Sequence, residues 1–407
     1  MSWQEIPLRR IFRFANGGTP KSDEKYWNGD VPWATPVDIG GADGGTLAST
    51  QRNLTEEGVL TGSRMIPEGS LILSTRAPIG YVAQINKRMA FNQGCRGLVA
   101  TIPVDARYYR YHLLALREKL IARGTGSTFM ELSTDALASV EVTRPPLDEQ
   151  RRIADFLDAE TDRIDGLAAA RQGMRDLLVL KRERMTEQIL GLDSLPPMLP
   201  LKYVVQSVSV GIVITPANWY VDEGGVPALR GLNVSPGRID TTNMVQISHA
   251  GHGENKKSRL SAGDVVVVRT GQAGAAAIVP EELDGSNCID LLIIRPGSST
   301  DSSFLTHYLN SFYARDKISE HSVGSIQAHF NVGSMKQLDF PAIDIREQER
   351  RAAKLDEIAD DLNLLNSHLD RQISLLAERR QALITAAVTG QFDVTTARRS
   401  TISGGIA

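Results

Sequence analysis

Cysteine is almost missing from this 407-residue chain: Cys95 and Cys288 are its only two, one in each half. That excludes a disulfide-stapled scaffold and suits reduced, buried thiols in a cytoplasmic protein. No run of 18 apolar residues occurs, and Met1-Ser2-Trp3-Gln4-Glu5 has no basic region ahead of an apolar core. Neither a membrane span nor a secretory signal is therefore expected. An excess of basic charge is lacking too: the formal net charge is −3, with +3 over residues 1–146 and −4 over residues 191–344. No segment has the balance that announces nucleic acid, so any DNA binding must rest on local patches or be shared with a more basic partner.

Reactive signatures are equally scarce. There is no GxxxxGK[ST] phosphate loop and no HExxH or CxxC metal spacing. The seven histidines are scattered; His249 and His252 are close, but nothing near them in sequence supplies a third ligand. Gly271-Gln272-Ala273-Gly274 is too short for a dinucleotide fingerprint. Arg144-Pro145-Pro146-Leu147 and Leu195-Pro196-Pro197-Met198 lack the Asn or Asp that opens the catalytic tetrad of an adenine methyltransferase. The chain reads as non-catalytic, with no metal or cofactor of its own.

What is present is a repeat. Residues 147–192 and 345–390 superimpose at a constant offset of 198, the second rod running on to 392, and pair Glu149-Gln150 with Glu347-Gln348 and Lys181-Arg182 with Arg379-Arg380. In the first copy Leu157, Glu160, Ile164, Leu167, Leu178 and Lys181 fall on a seam that steps by alternating four and three. In the second, Leu355, Leu362, Leu365, Leu369 and Leu376 do the same. A seam of that period faces another helix. At about 1.5 Å per residue each rod would be roughly 65 Å long, and two rods of one length most simply pair with each other. Charge gives the direction. Antiparallel pairing sets Glu160 near Arg379 and Arg380 and Lys181 near Glu357, whereas parallel pairing would set Lys181 beside Arg379. Gly166 and Gly173 mark places where the first rod would bend or pack closely.

Residues 1–146 and 193–344 are mixed segments of short apolar runs broken by Gly and Pro, and the second replays the first. Leu199-Pro200-Leu201-Lys202 follows Ile6-Pro7-Leu8-Arg9, Thr215-Pro216 follows Thr19-Pro20, and Val265 to Val268 with Arg269 follows the strand before Arg76. Gly324-Ser325 matches Gly126-Ser127. The fold class is α+β, two pseudo-repeated mixed α/β heads separated by two long antiparallel coiled-coil helices. Residues 393–407 are polar and small, and a tail without fixed structure is expected.

Recognition remains as the function. Arg and Lys in turn loops beside aromatics and small polar residues suit a surface meeting phosphates and base edges. The candidates are Thr19, Lys21, Trp33, Thr35, Arg76, Asn92 and Gln93 in the first head, and Thr215, Arg230, Asn233, Arg269 and Asn287 in the second. Composition and period also allow a non-catalytic coiled-coil scaffold whose repeated heads bind proteins.

The sequence resembles the specificity subunits of type I restriction-modification systems over about residues 1–392. The likeness is carried by Gly17-Gly18-Thr19-Pro20, Tyr26-Trp27-Asn28-Gly29-Asp30-Val31-Pro32-Trp33, Arg76-Ala77-Pro78-Ile79-Gly80, Phe91-Asn92-Gln93-Gly94-Cys95 and Gly126-Ser127-Thr128-Phe129. The run Pro145-Pro146-Leu147-Asp148-Glu149-Gln150-Arg151-Arg152-Ile153-Ala154 is the most telling. The second head departs from the pattern, keeping only Val226-Pro227 and Arg230 of the Trp-rich segment. The resemblance implies two target recognition domains, each reading half of a split double-stranded DNA sequence, with half-sites about one helical turn apart. It implies helices that fix the unread spacer and dock two modification (methyltransferase) subunits, which bring S-adenosylmethionine and methylate adenine N6. It also implies restriction (translocase and nuclease) subunits using ATP and Mg²⁺, a cytoplasmic location, and weak DNA binding by the isolated chain.

Overall fold

Two 44-residue helices, Leu147–Leu190 and Ile345–Val388, are the longest elements. Their limits follow from local chemistry. The first starts after Pro145-Pro146, with the Pro146 carbonyl accepting from the Glu149 and Gln150 amides. The second is capped by Asp344, whose carboxylate accepts from the Glu347 amide at 3.0 Å. Gly191 and Gly390, with φ of +79° and +75°, turn the chain out of the two helices in the left-handed conformation that glycine adopts without strain. No described helix is long and apolar enough to cross a membrane. The structure is a computed structural model and describes residues 3–76, 78–126, 130–194, 196–270, 273–320 and 330–396. Ala77, the segment 127–129, Gly271-Gln272, Gly324-Ser325 and residues 397–407 of the tail lie outside the described residues.

The chain forms two compact units, Met1–Arg171 with Arg371–Ala407, and Gln172–Asp370. In the first, a five-stranded sheet runs in the order Phe12–Asn16, Cys95–Ala100, Leu71–Ser74, Val82–Ile85, Thr46–Leu47. Leu71–Ser74 is buried throughout: Leu71 and Leu73 join Tyr108, Leu113 and Leu98 in one core, and Ile72 joins Ala83, Ile85 and Phe91 in another. A second sheet holds Asn53–Leu54, Trp27–Ala34, Met89–Phe91 and Met65–Ile66 in that order. Gln4–Pro7 pairs antiparallel with Glu141–Arg144, so the head closes on itself just before the first long helix. Val394 packs against this unit's core within the short turn Val394–Thr396, so the tail is ordered at least that far.

The second unit repeats the plan. Its main sheet runs Val205–Val210, Leu291–Pro296, Val265–Val268, Ala276–Ile278, and its second sheet Tyr220–Val221, Val245–Ile247, Val226–Leu229, Asn287–Cys288. Met198–Pro200 pairs with Asp339–Pro341 just ahead of the second long helix.

Within each unit the long helices run antiparallel. In the first, Ile153, Ala154 and Leu157 pack with Ile384, Ala387 and Val388, and further along Asp165 pairs with Arg380 at 3.0 Å. In the second, Leu190 packs with Ala352 and Leu355, and Arg175 pairs with Asp370 at 3.1 Å. The direction matches the charge argument, but the individual pairs do not. Glu160 bonds Arg163 of its own helix at 2.7 Å, Arg380 takes Asp165, and Arg379, Lys181 and Glu357 are exposed. The apolar seam is also narrower than the heptad spacing suggests. Leu157, Ile164, Leu355, Leu362 and Leu369 are buried and Leu178 and Leu376 half-buried, whereas Leu167 and Leu365 are 41% and 47% exposed. Two helices facing only each other cover a thin stripe, and positions at its margin stay in solvent. Gly166 and Gly173 have open space where a Cβ would stand, so close packing does not explain them.

The repeated Glu-Gln pair has a definite task. Gln150 is buried, accepts from the Asp105 amide at 3.0 Å and donates to the Pro145 carbonyl at 2.9 Å. Gln348 is buried alike, accepts from the Asp301 amide at 3.0 Å and donates to the Ser299 and Ile343 carbonyls. Asp105 and Asp301 cap the helices Ala106–Ala115 and Ser302–Asn310, so each glutamine clamps its head's helix entry to the start of a long helix. Gln150→Ala strands a buried amide and a carbonyl. It is expected to cost about 1–3 kcal/mol, read as a lower denaturant midpoint; an unmoved midpoint would show the clamp to be idle.

Candidate nucleic-acid interface

The edge of the first head is built from loops that only glycine lets converge. A Cβ on Gly17 would lie 2.1 Å from the Asn92 carbonyl oxygen, and one on Gly18 would lie 2.4 Å from that of Gly62. The Gly18 amide donates to the Phe91 carbonyl, and the Gly18 carbonyl accepts from Trp33 Nε1 at 3.0 Å. Trp27 stands edge-on to Trp33 with ring centres 5.1 Å apart, and its Nε1 donates to the Lys21 carbonyl at 2.9 Å. Trp33 itself is only 4% exposed. The sequence marks it for DNA contact, but the structure makes it a pin beneath the loop, because its indole is spent on core packing and a backbone bond.

Above that pin the exposed groups are Thr19, Lys21 and Gln93, with Thr19 Oγ1 donating to Gln93 Oε1 at 2.5 Å. Asn92 is turned inward, its Oδ1 accepting from the Gly94 amide at 3.0 Å, and this local turn pushes Gln93 outward. Arg96 Nη1 donates to the Gln93 carbonyl and Nε to Thr134 Oγ1, at 2.9 and 2.8 Å. Arg76 pairs with Glu131 at 2.7 Å, and Arg96 approaches the same carboxylate at 3.6 Å. Burial draws the Arg96 guanidinium below arginine's ordinary value, with Glu131 acting in the opposite direction. Thr19, Gln93 and Arg76 are thus brought to one edge. Thr35 is not part of that bonded set: it caps the helix Pro36–Gly41 through Asp38.

In the second head the sequence candidates separate. Thr215 is exposed and holds a left-handed φ of +39°. Arg230 and Asn233 rebuild the Thr35–Asp38 turn, with Asn233 Oδ1 accepting from the Arg230 amide at 3.0 Å. Asn233 is 1% exposed and Asn287 fully buried, bonded to His252 and to Ser258 Oγ at 2.7 Å. Neither amide can face a duplex, because both are consumed in folding the loops. Arg269 is half-buried, donates to the Phe330 carbonyl and pairs with Asp290 at 2.7 Å. Val268 exchanges bonds with Ala275 and Gly274 as Ser74 does with Tyr81 and Gly80, so Arg269 stands at the place of Thr75, not Arg76.

Cys95 and Cys288 are free and buried, and burial pushes both thiols above the ordinary value. Among the described residues no group of three His, Cys, Asp or Glu is placed to hold a metal ion.

Residues 1–171 match the family described as the type I restriction modification DNA specificity domain. The specificity subunit of the type I restriction enzyme MjaIX from Methanocaldococcus jannaschii is 36% identical over 167 residues, covering 40% of this chain and 39% of that one. That of EcoR124I/EcoR124II from Escherichia coli is 29% identical, covering 37% and 39%. These matches thus span about two fifths of the relatives' length. The EcoBI specificity subunit from Escherichia coli is similar over 96% of this chain and 86% of its own, at 20% identity. In fold, the chain is similar to one from a structure of type I R-M system assembly and conformational transition, with a TM-score of 0.77, 16% identity and coverage of 96% and 98%. The HsdS subunit from Thermoanaerobacter tengcongensis gives 0.53 at 18% identity, covering 96% and 97%.

Two features of this edge escape sequence reasoning. The Arg52 guanidinium stacks 3.6 Å from the Trp27 ring centre, adding an exposed cation on the indole whose Nε1 binds the Lys21 carbonyl. Glu131 couples Arg76 to Arg96. Neither has a local pattern, since each joins residues distant in sequence.

Proposed function

We propose that this chain is the non-catalytic, DNA-reading subunit of a type I restriction-modification complex. Each head reads one half of a bipartite duplex target. In the first head Lys21, Arg52 and Arg76 meet phosphates, and Gln93, with its amide carried outward, meets a base edge. The two long helices set the spacer between half-sites and dock two modification subunits. S-adenosylmethionine, ATP and Mg²⁺ belong to the modification and restriction partners. The observation that carries this reading is the duplicated head, each copy clamped by a buried glutamine to the start of its own long helix. Duplicated modules on a rigid mount suit a split target better than a single continuous one.

The test is exchange of residues 1–146 for the matching head of a related subunit, with methylated sites mapped in host DNA. One half-site should change while the other half and the spacer length persist. An unaltered methylation pattern would favour a protein-binding scaffold instead.

A further inference from the structure

The two heads treat one loop differently. In the first, the turn after the strand Phe12–Asn16 is shut: Gly18 and Gly62 leave no room for a Cβ, and one on Gly62 would lie 2.4 Å from Pro20 Cα. In the second, Gly211 and Ile212 take the places of Gly17 and Gly18, the Ile212 amide donating to the Cys288 carbonyl as the Gly18 amide does to that of Phe91. The chain then inserts Val213 and Ile214 before its Thr-Pro pair, and a cavity of about 600 Å³ opens between this loop and residues 253–258.

One wall of the cavity is apolar, with Val213 47% and Ile214 79% exposed. The other presents exposed Lys256 and Lys257, with Glu254 and Asn255 beside them. That second wall is braced from beneath: Asn287 donates to Ser258 Oγ at 2.7 Å, Ser258 donates to the Asn255 carbonyl at 2.7 Å, and Asn287 Oδ1 meets His252 Nδ1. The opposite wall leads into Thr215, held at a positive φ that a β-branched residue rarely adopts. Two adjacent lysines on a head of net charge −4 form a local cationic rim, and exposed Ile and Val across from them form an apolar lip. Phosphate on one side and a thymine methyl on the other is the pairing of chemistries that a DNA strand offers.

We infer that this groove is where the second head holds its half-site, Lys256 and Lys257 on strand phosphates and Ile214 against a thymine methyl. The inference rests on the DNA-reading function proposed above. It replaces the buried Asn233 and Asn287 as reading groups and gives Asn287 the role of bracing the lysine wall.

The test uses the chain assembled with its modification subunits and fluorescence anisotropy on duplexes randomised in one half-site or the other, over a range of salt. Lys256→Ala with Lys257→Ala should weaken every duplex about tenfold and lower the log–log salt slope by about 2, leaving base preference intact. Ile214→Ala should leave the slope intact and relax preference at one position of the second half-site only. A wild-type complex that discriminates among duplexes, with both variants matching it, overturns the groove. A wild-type complex that fails to discriminate overturns the DNA reading itself.

Discussion

Asp158→Ala is expected to destabilise the first unit by about 3–5 kcal/mol, the cost of enclosing a cation without its counter-ion. Asp158 Oδ1 accepts from Arg110 Nη2 at 2.8 Å and from the Tyr111 hydroxyl at 2.7 Å, while Oδ2 accepts from Arg107 Nη1 at 2.8 Å. Arg110 is only 5% exposed, and among the described residues its guanidinium's one other hydrogen bond is a 3.4 Å approach to the Gly45 carbonyl. The pseudo-equivalent Asp356 holds His307 Nε2 at 2.6 Å and Ser303 Oγ at 3.0 Å, but its side chain is 56% exposed. Asp356→Ala should therefore cost less than about 1 kcal/mol. Denaturant titration separates the two, because Trp3, Trp27 and Trp33 report on the first unit and Trp219 on the second. Equal losses for both variants would mean that burial of Arg110 is not what makes Asp158 matter.

The second large effect is a fall in stability on acidification. His112 is buried, and burial lowers its imidazole from 6.5 to about 4. Its Nε2 accepts from the Thr143 amide at 3.1 Å, so the neutral ring carries its proton on Nδ1. Thr143 Oγ1 and the Tyr108 hydroxyl both donate to the Val388 carbonyl, at 2.8 and 3.0 Å, so the threonine that meets the ring also ties it to the last turn of the second long helix. Above pH 6.5 the ring is neutral whether the chain is folded or not, and stability is flat. Below it the unfolded chain binds a proton that the folded one refuses, so stability drops by about 1.4 kcal/mol per pH unit and levels off near pH 4. The whole loss is on the order of 3 kcal/mol. His112→Gln keeps an acceptor for the Thr143 amide without the titration, so its stability should be flatter than the parent's between pH 6.5 and 4. Identical pH profiles for the two proteins would refute this assignment.

The long helices were legible because a helix forbids slippage. One inserted residue turns everything beyond it by about 100°, so the offset between Gln150 and Gln348 had to match that between Lys181 and Arg379. Head loops carry no such constraint. Aligning Arg269 with Arg76 looks natural in sequence, yet the strand bonds place it on Thr75, and in an extended chain one step points a side chain to the opposite face. Asn233 and Asn287 read as surface amides but are buried by the turns they stabilise. Direction of the helix pair was readable from charge, while Asp165 as the partner of Arg380 depended on how far round each helix the side chains lie. The open groove between residues 210–214 and 253–258 leaves only a faint trace in the sequence, two apolar residues ahead of a Thr-Pro pair.

Each glutamine clamp grips its head solely through main-chain atoms, the amides of Asp105 and Asp301 and the carbonyls of Pro145, Ser299 and Ile343. That joint is blind to side-chain identity, but the contacts around it are not: Asp158 of the first long helix holds Arg107, Arg110 and Tyr111 of the head. A foreign head joined at residue 146 would keep the glutamine coupling whatever its sequence, and would seat on the old helix only if it also supplied partners for Asp158. Head residues remote from that seam are free to drift without compensating change in the long helices.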